Sequence, residues 1–554
     1  MIARGWRELA LAVGSVGMAV AGPEAGLRAV RTHQPITIDG RLNEAVWAQA
    51  PVATDFTQEW PQRSTQPLQR TEVRVLYDAR HLYVGARMHH DRRLDGGRAT
   101  IVRRLHRRDQ DSQSDWFSVA LDSNHDHRTA LLFEVNAAGV QKDQIIYNDA
   151  TFNASWDGVW ESAVSVDADG WTAELKIPLS LLRFKPGAGP QTWGVNFTRV
   201  DQGHNRETSR WMVVPRGGTG YVSHFLELRG LEGLEPQPRS ELIPYVSEAR
   251  KFETTRPFDD RRGTGRAGLD AHWSLNSHAQ VDLALKPDFG QVEVDQTVLN
   301  LSTVETFFPE KRPFFLEGMD LFRVAGPDLF YSRRIGQGLS DPTLNAGESL
   351  LDRPAATEIR AAAKYTSKYD NGTSVGLLGA SVAPASAVIQ DANGASARRE
   401  LVPLTTYGVL RIQQRVDERG SYVGGFASDM RQAGPLGRLA QVQALDGAYQ
   451  TMDHGGLVEV TLSHSQAGPK GAQDEGWRER FRLHQEWRGG WALEFQAINT
   501  GRTYNPNDLG YLARSDDQRL YADLSRTWDQ TWGILRNWSV GVSDQIARDQ
   551  AGHT

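Results

Sequence analysis

The 554-residue sequence contains no cysteine. That excludes disulfide staples, thiolate zinc sites, cysteine nucleophiles and lipid-anchored cysteines. An excess of charge of one sign is also missing, since 62 Lys and Arg stand against 68 Asp and Glu. Nucleic-acid binders carry a basic field, so no nucleic acid is expected as a partner. Mean hydropathy is −0.49, too polar for a bundle of membrane helices. No Walker A or H-E-x-x-H spelling occurs. GTGRAG (Gly263–Gly268) spells G-x-G-x-x-G, but it leads into alternating residues rather than a strand–turn–helix and is rejected as a nucleotide site. Catalytic residues stay unassigned. A glycosidase pair is defined by a carboxylate separation of about 5 to 9.5 Å, which spelling does not carry.

What is present is glycine (53), tryptophan (16) and tyrosine (14) in a chain with little heptad character. That composition indicates an all-β fold rich in turns, and it also suits a transmembrane β-barrel, where only alternate residues face lipid. Residues 1–22 read as a signal peptide. Arg4 and Arg7 form a basic start, Leu9 to Ala21 is weakly polar, and Ala19-Val20-Ala21 offers a small-x-small cleavage pattern. The run is shorter than the roughly 20 residues of a spanning helix. Export without cysteine points to a bacterial periplasm or outer membrane.

Residues 30–231 alternate apolar and polar residues with turns at short intervals, which predicts a β-sandwich. Val73, Val75 and Tyr77 share one face, as do Leu82, Val84, Ala86 and Met88, and Phe117, Val119 and Leu121. Four segments, Pro35–Ala50, Val73–Asp91, Ser114–Asp143 and Asp169–Phe184, resemble in order and spacing a carbohydrate-binding module of family 9. The resemblance implies an oligo- or polysaccharide partner, held between two aromatic rings with polar groups reaching the hydroxyls. The first clamp tryptophan would fall just before Asp115, where Ser112, Gln113 and Ser114 stand. The second would fall near Thr219 to Tyr221, where only Tyr221 is aromatic. Half the clamp is therefore expected to be gone.

Trp116, Trp156, Trp160 and Tyr221 are the candidate ligand-binding aromatics. Trp116 is equally compatible with exposure or cover, and Trp156 and Trp160 lie in a loop-like stretch around Gly158. Trp47, after a short helical turn, is expected in the core. Asp122, Asn124 and Asp126 place oxygens at alternate positions and are a candidate Ca²⁺ loop, although a solvated turn is the plainer reading. Arg98, Arg103, Arg104, Arg107 and Arg108, followed by Asp109, Asp111 and Asp115, read as a solvated, self-neutralising loop.

After the linker Glu235–Arg239 the alternation lengthens, as in His278–Asp288, Arg480–Trp487 and Trp491–Ile498. One face is apolar with aromatics near the ends, and the other carries charge. This predicts an antiparallel, transmembrane β-barrel-like domain over 240–554 with outer-membrane lipid as a partner. Lys286–Gln296, Leu299–Phe322, Phe330–Gly338 and Tyr504–Asp516 resemble the family of unknown function that follows such modules in bacterial outer-membrane proteins. Segment 286–338 is too charged to face lipid and is expected to fold as a plug or collar. Phe307, Phe308, Phe314 and Phe315 would anchor it, while Arg312, Arg333 and Arg334 pair with Glu305, Glu310 and Glu317. Roughly ten strands are countable, few for a closed lumen. Either the barrel is incomplete, in a fragment or a truncated product, or strands are missed. The expected function is that of an exported outer-membrane protein that captures or passes glycans and is not itself an enzyme. A hydrolase of glycosidic bonds and a protein-docking scaffold are the alternatives.

Overall fold

The computed structural model describes residues 26–551 apart from 92–99, 148, 155, 185–188, 205, 215–219, 236–239, 251–262, 277, 288–304, 309, 325–328, 340, 355, 370, 418, 435–436, 452–454, 488 and 529–537. The signal-peptide and most of the linker expectations lie outside the described residues.

The period-2 segments of the first half form two stacked sheets. One runs Gly26–Arg28, Leu226–Leu231, Gln191–Asp201, Trp116–Asp122, Ala130–Asn136, Gln141–Tyr147, Thr151–Asn153, with Glu207–Arg210 and Thr57–Trp60 added off Gln191–Asp201. The other runs Glu161–Asp167, Gly170–Pro178, His81–His89, Thr71–Tyr77, Val30–Arg31. Two short parallel pairings, Gly26–Arg28 on Leu226–Leu231 and Val30–Arg31 on Thr71–Tyr77, let one N-terminal segment edge both sheets. Between the sheets lie the residues that alternation selected. Val73, Val75, Val84, Met88, Phe117, Val119 and Leu121 share one core with Phe133, Trp171 and Trp193. Each such side chain contributes about 1.5–3 kcal/mol on burial. Trp47 sits in a 3₁₀ turn and is buried, as its sequence context predicts.

The second half is one 13-stranded antiparallel sheet in which neighbours in sequence are neighbours in space, from Ser240–Arg250 to Trp538–Arg548. The strand count from alternation alone was too low. Among the described residues the first and last strands do not pair with each other, so the sheet is barrel-like but not closed. GTGRAG opens the strand Gly263–Ser274, consistent with its rejection as a nucleotide site. A separate three-stranded sheet, Ser349–Asp352, Ala385–Gln390 and Ser396–Val402, stands beside the large one.

The large sheet inverts the usual solvation. Leu410, Ile412, Leu445, Val460, Leu462 and Val542 are exposed on its outer face. Their strand neighbours Arg411, Asp446, Thr461 and Ser463 are buried on the inner one. Trp477, Trp487 and Trp491 stand exposed at or near strand ends. The inner face is covered by 3₁₀ turns at Pro313–Phe315, Met319–Phe322 and Ser332–Arg334. Phe314, Phe315, Leu321 and Phe322 of these turns share a core with Val409, Phe426, Met430 and Val442 of the wall. The plug is thus packed by apolar contact, not merely tethered. Among the described residues no helix is long and apolar enough to cross a membrane.

Candidate functional site

Register sets the two ends of the sandwich. Trp116 opposes Val200 at one end and Asp122 opposes Gly194 at the other. The first end is where the resemblance places a sugar clamp, and it is closed by polar side chains. Arg199 donates to the Arg70 carbonyl (3.0 Å) and the His89 carbonyl (2.9 Å) of the opposite sheet and reaches Asp201 at 3.2 Å. Asp115 accepts from the Gln202 amide at 2.9 Å. Burial, with the nearby Asp201 charge, pushes the Asp115 carboxyl up to about 7. Asp201 is held below the ordinary range because His204 and Arg199 outweigh its own desolvation. Two carboxyls driven apart in this way resemble an acid–base pair. Both are almost wholly buried, at 1% and 3% exposure, and their partners make them a clasp between the sheets. The basic loop of the sequence is therefore not simply solvated. Asp115 is interior, and Arg108 hydrogen-bonds the buried Asp143, which also accepts from the Trp160 indole at 2.7 Å.

Ligand atoms of His90, Asp201 and His204 lie within 4.8 Å of one another, as do those of His272, Asp282 and Glu317. Imidazoles with carboxylates are a donor set suited to zinc. In each case a cation already holds the aspartate: Arg199 at 3.2 Å on Asp201, and Lys364 at 3.2 Å on Asp282. A metal ion would have to compete with them.

The four aromatic candidates are not gathered into one clamp. Trp116 is covered on the outer face by the preceding segment, with His106 against its ring (5.6 Å) and its indole donating to the Ser112 carbonyl. Trp160 is buried beside Phe133 (5.4 Å). Tyr221 is buried against Phe225 (4.9 Å) under the Arg210 guanidinium. Trp156 alone is half-buried, packed edge-on to Phe133 at 5.8 Å.

Asp122, Asn124 and Asp126 form a tight turn whose oxygens serve local donors. Asp122 accepts from the amides of Asp126 and His127, and Asp126 from those of Arg128 and Thr129 and from the Thr129 hydroxyl. Burial raises Asp122. Burial would raise Asp126 too, but Lys368 and the donors of residues 128 and 129 outweigh it and hold it low. The turn docks on the large sheet. Arg128 donates to the Gly420 carbonyl at 2.8 Å and covers the Tyr422 ring at 4.6 Å, while Lys368 reaches Asp126 at 3.5 Å. Neither calcium loop nor free turn anticipated this docking.

The plug charges are paired among themselves. Glu310 takes both arms of Arg312 (2.8 and 2.7 Å) and the Ser332 hydroxyl, with Arg333 at 4.0 Å. Arg334 makes a two-pronged bridge to Glu305 at 2.8 and 2.7 Å. Glu317 faces His272 at 3.8 Å. Phe314 and Phe315 are buried anchors, whereas Phe307 is half exposed against Tyr331 and Tyr511. Two wall residues that sequence reasoning missed complete the lock. Lys364 donates to the carbonyls of Phe314 (2.7 Å) and Glu317 (2.5 Å), and Arg411 pairs with Asp446 at 2.5 and 2.8 Å. Gly424 gives the Arg411 guanidinium room, since a Cβ there would lie 2.7 Å from it.

These features define a class, a carbohydrate-binding-like β-sandwich docked on a plugged, barrel-like sheet. Residues 38–221 match the family described as carbohydrate family 9 binding domain-like. Residues 236–553, more than half of the chain, match the domain of unknown function DUF5916, and the chain belongs to that family. Among curated proteins no relative matches. Similar solved structures include a family 9 carbohydrate-binding module from Caldicellulosiruptor kristjanssonii in complex with cellotriose. It is 19% identical, spans 38% of this chain and 94% of its own, and has a TM-score of 0.26. A family 9 module from the same organism in complex with glucose gives 17%, 38%, 96% and 0.27. Pseudomonas aeruginosa OccK9 (OpdG) gives 10% identity over 79% of this chain and 94% of its own, with a TM-score of 0.21.

Proposed function

We propose that this protein is an outer-membrane saccharide receptor. The sandwich captures a glycan, and the barrel-like half holds it at the membrane and receives what it captures. The observation that carries the reading is the inverted solvation of the large sheet beneath a sandwich of the carbohydrate-binding family. Exposed Leu445, Val460, Leu462 and Val542 suit hydrocarbon, and exposed tryptophans suit its boundary. Buried Arg411, Lys364 and Asp446 suit a lumen.

The test is expression of the full chain in a Gram-negative bacterium. Fractionation, heat-modifiable gel mobility and a glycan array on the detergent-purified protein are then read together. The reading expects an outer-membrane fraction, a mobility shift on heating and array binding. Recovery with soluble periplasm and no shift would remove the membrane half of the reading. A silent array would remove the saccharide half.

A further inference from the structure

The end of the sandwich that resembles a sugar site is shut, while the opposite end, facing the plug, is hollow. A cavity of ≈ 100 Å³ lies there, bounded by Trp156, Arg183 and Asn124 of the sandwich and by Glu317, Asp320 and Lys368 below. A neighbouring cavity of ≈ 70 Å³ shares Asn124, Thr129, Asp320 and Lys368 and extends to Gln413 and Arg415 on the sheet rim. Lys368 stands where the two cavities meet, 3.5 Å from Asp126 and 3.6 Å from Asp320.

We infer that this junction cavity is the saccharide site, taking a neutral hexose unit with Trp156 as its stacking platform and Arg183 and Asp320 as hydrogen-bonding groups. The inference rests on the saccharide reading above and adds where the sugar sits. Trp156 is suited to the role because its ring is fixed before any ligand arrives. Phe133 meets it edge-on at 5.8 Å, and Gly158 packs closely on the other part of the ring, where a Cβ would come within 2.6 Å. A rigid aromatic wall flanked by a planar guanidinium and a carboxylate matches what a polyhydroxylated ring requires, one apolar face and a charged hydrogen-bonding edge. Arg183 is itself oriented by a hydrogen bond to Gln280 of the sheet wall. Sandwich and wall therefore define the site together, and a sugar held there already lies against the plug.

The experiment is calorimetric titration of the full chain in detergent with glucose and with cellotriose, beside Trp156→Ala, Asp320→Asn and Trp60→Ala. Trp60 is half exposed on an edge strand away from the cavity. The inference expects Trp156→Ala to weaken binding by roughly tenfold or more, Asp320→Asn to weaken it less, and Trp60→Ala to leave it unchanged. Near-UV circular dichroism verifies each fold. If Trp156→Ala does not fold, Asp320→Asn decides. Sugar binding that survives both cavity substitutions, or is lost with Trp60→Ala, overturns the cavity and leaves the saccharide reading standing. Binding of neither sugar by a protein that binds other glycans on the array overturns the hexose assignment. Silence in both assays defeats the saccharide reading itself.

Discussion

The sandwich and the barrel-like sheet are built from the same period-2 alternation and are solvated in opposite senses. In the sandwich, Phe133 and Trp171 are fully enclosed between the sheets, and the charges it buries, such as Arg199 and Asp201, are paired with each other. In the large sheet, Lys364, Arg411 and Asp446 are enclosed, and Leu445 and Val542 are exposed at 67% and 75%. Alternation states that the two faces of a strand differ. It does not state which face meets water. That is decided by what the sheet encloses, a second sheet in one case and a charged plug in the other.

Four substitutions sharpen or break this contrast, and the first two are the largest. Phe133→Ala should cost the sandwich about 3–5 kcal/mol through lost burial and the cavity left behind, measured by denaturant unfolding. Asp446→Ala should cost the sheet a similar amount, about 3–5 kcal/mol, by leaving Arg411 buried without its partner. The same measurement in detergent checks it, and a near-neutral result would mean that Arg411 is in contact with water. Leu462→Arg, on the outer face, should cost about 2–4 kcal/mol if that face meets the middle of a bilayer. If the face meets water, the change should stay within about 0.5 kcal/mol. Refolding into vesicles separates the two.

A pH dependence in the sandwich completes the contrast. The Asp115 carboxyl titrates near 7 when folded and near 3.8 otherwise. The folded state therefore holds the extra proton between these values, and stability is lost as pH rises through that window. Asp115→Asn retains a side-chain acceptor for the Gln202 amide. It should raise the melting temperature at pH 8 relative to wild type and leave it little changed at pH 4. Equal shifts at both values would contradict the assignment.

Much of the architecture was legible in the residues. Phe117, Val119 and Leu121 mark a core face, and Arg312 and Glu310 spell a pair that forms. The strand count was not legible, because strands such as Thr373–Val382 and Tyr422–Gln432 are rich in small residues and carry weak alternation. The site was legible least. Trp116, Trp160 and Tyr221 are large aromatics in loops or on outer faces, yet loop cover and a neighbouring cation bury them. The role of the turn at Asp122–Thr129 depends on Gly420 and Lys368, distant in sequence, so local spelling suggested only a cation loop. Trp156 lines a cavity whose other walls, Arg183 and Asp320, come together only through docking of the two halves.

The absence of cysteine makes the central claim directly measurable. A nitroxide placed through Leu462→Cys would be the single label on the protein, with Ser463→Cys as its inward-facing counterpart. Accessibility to oxygen and to a water-soluble nickel chelate is then read by paramagnetic resonance on the full chain in lipid vesicles. A lipid-facing outer surface predicts high oxygen and low nickel accessibility at 462, and a restricted label at 463. Free access of the nickel chelate at 462 would contradict it, leaving a soluble sheet with an exposed apolar face.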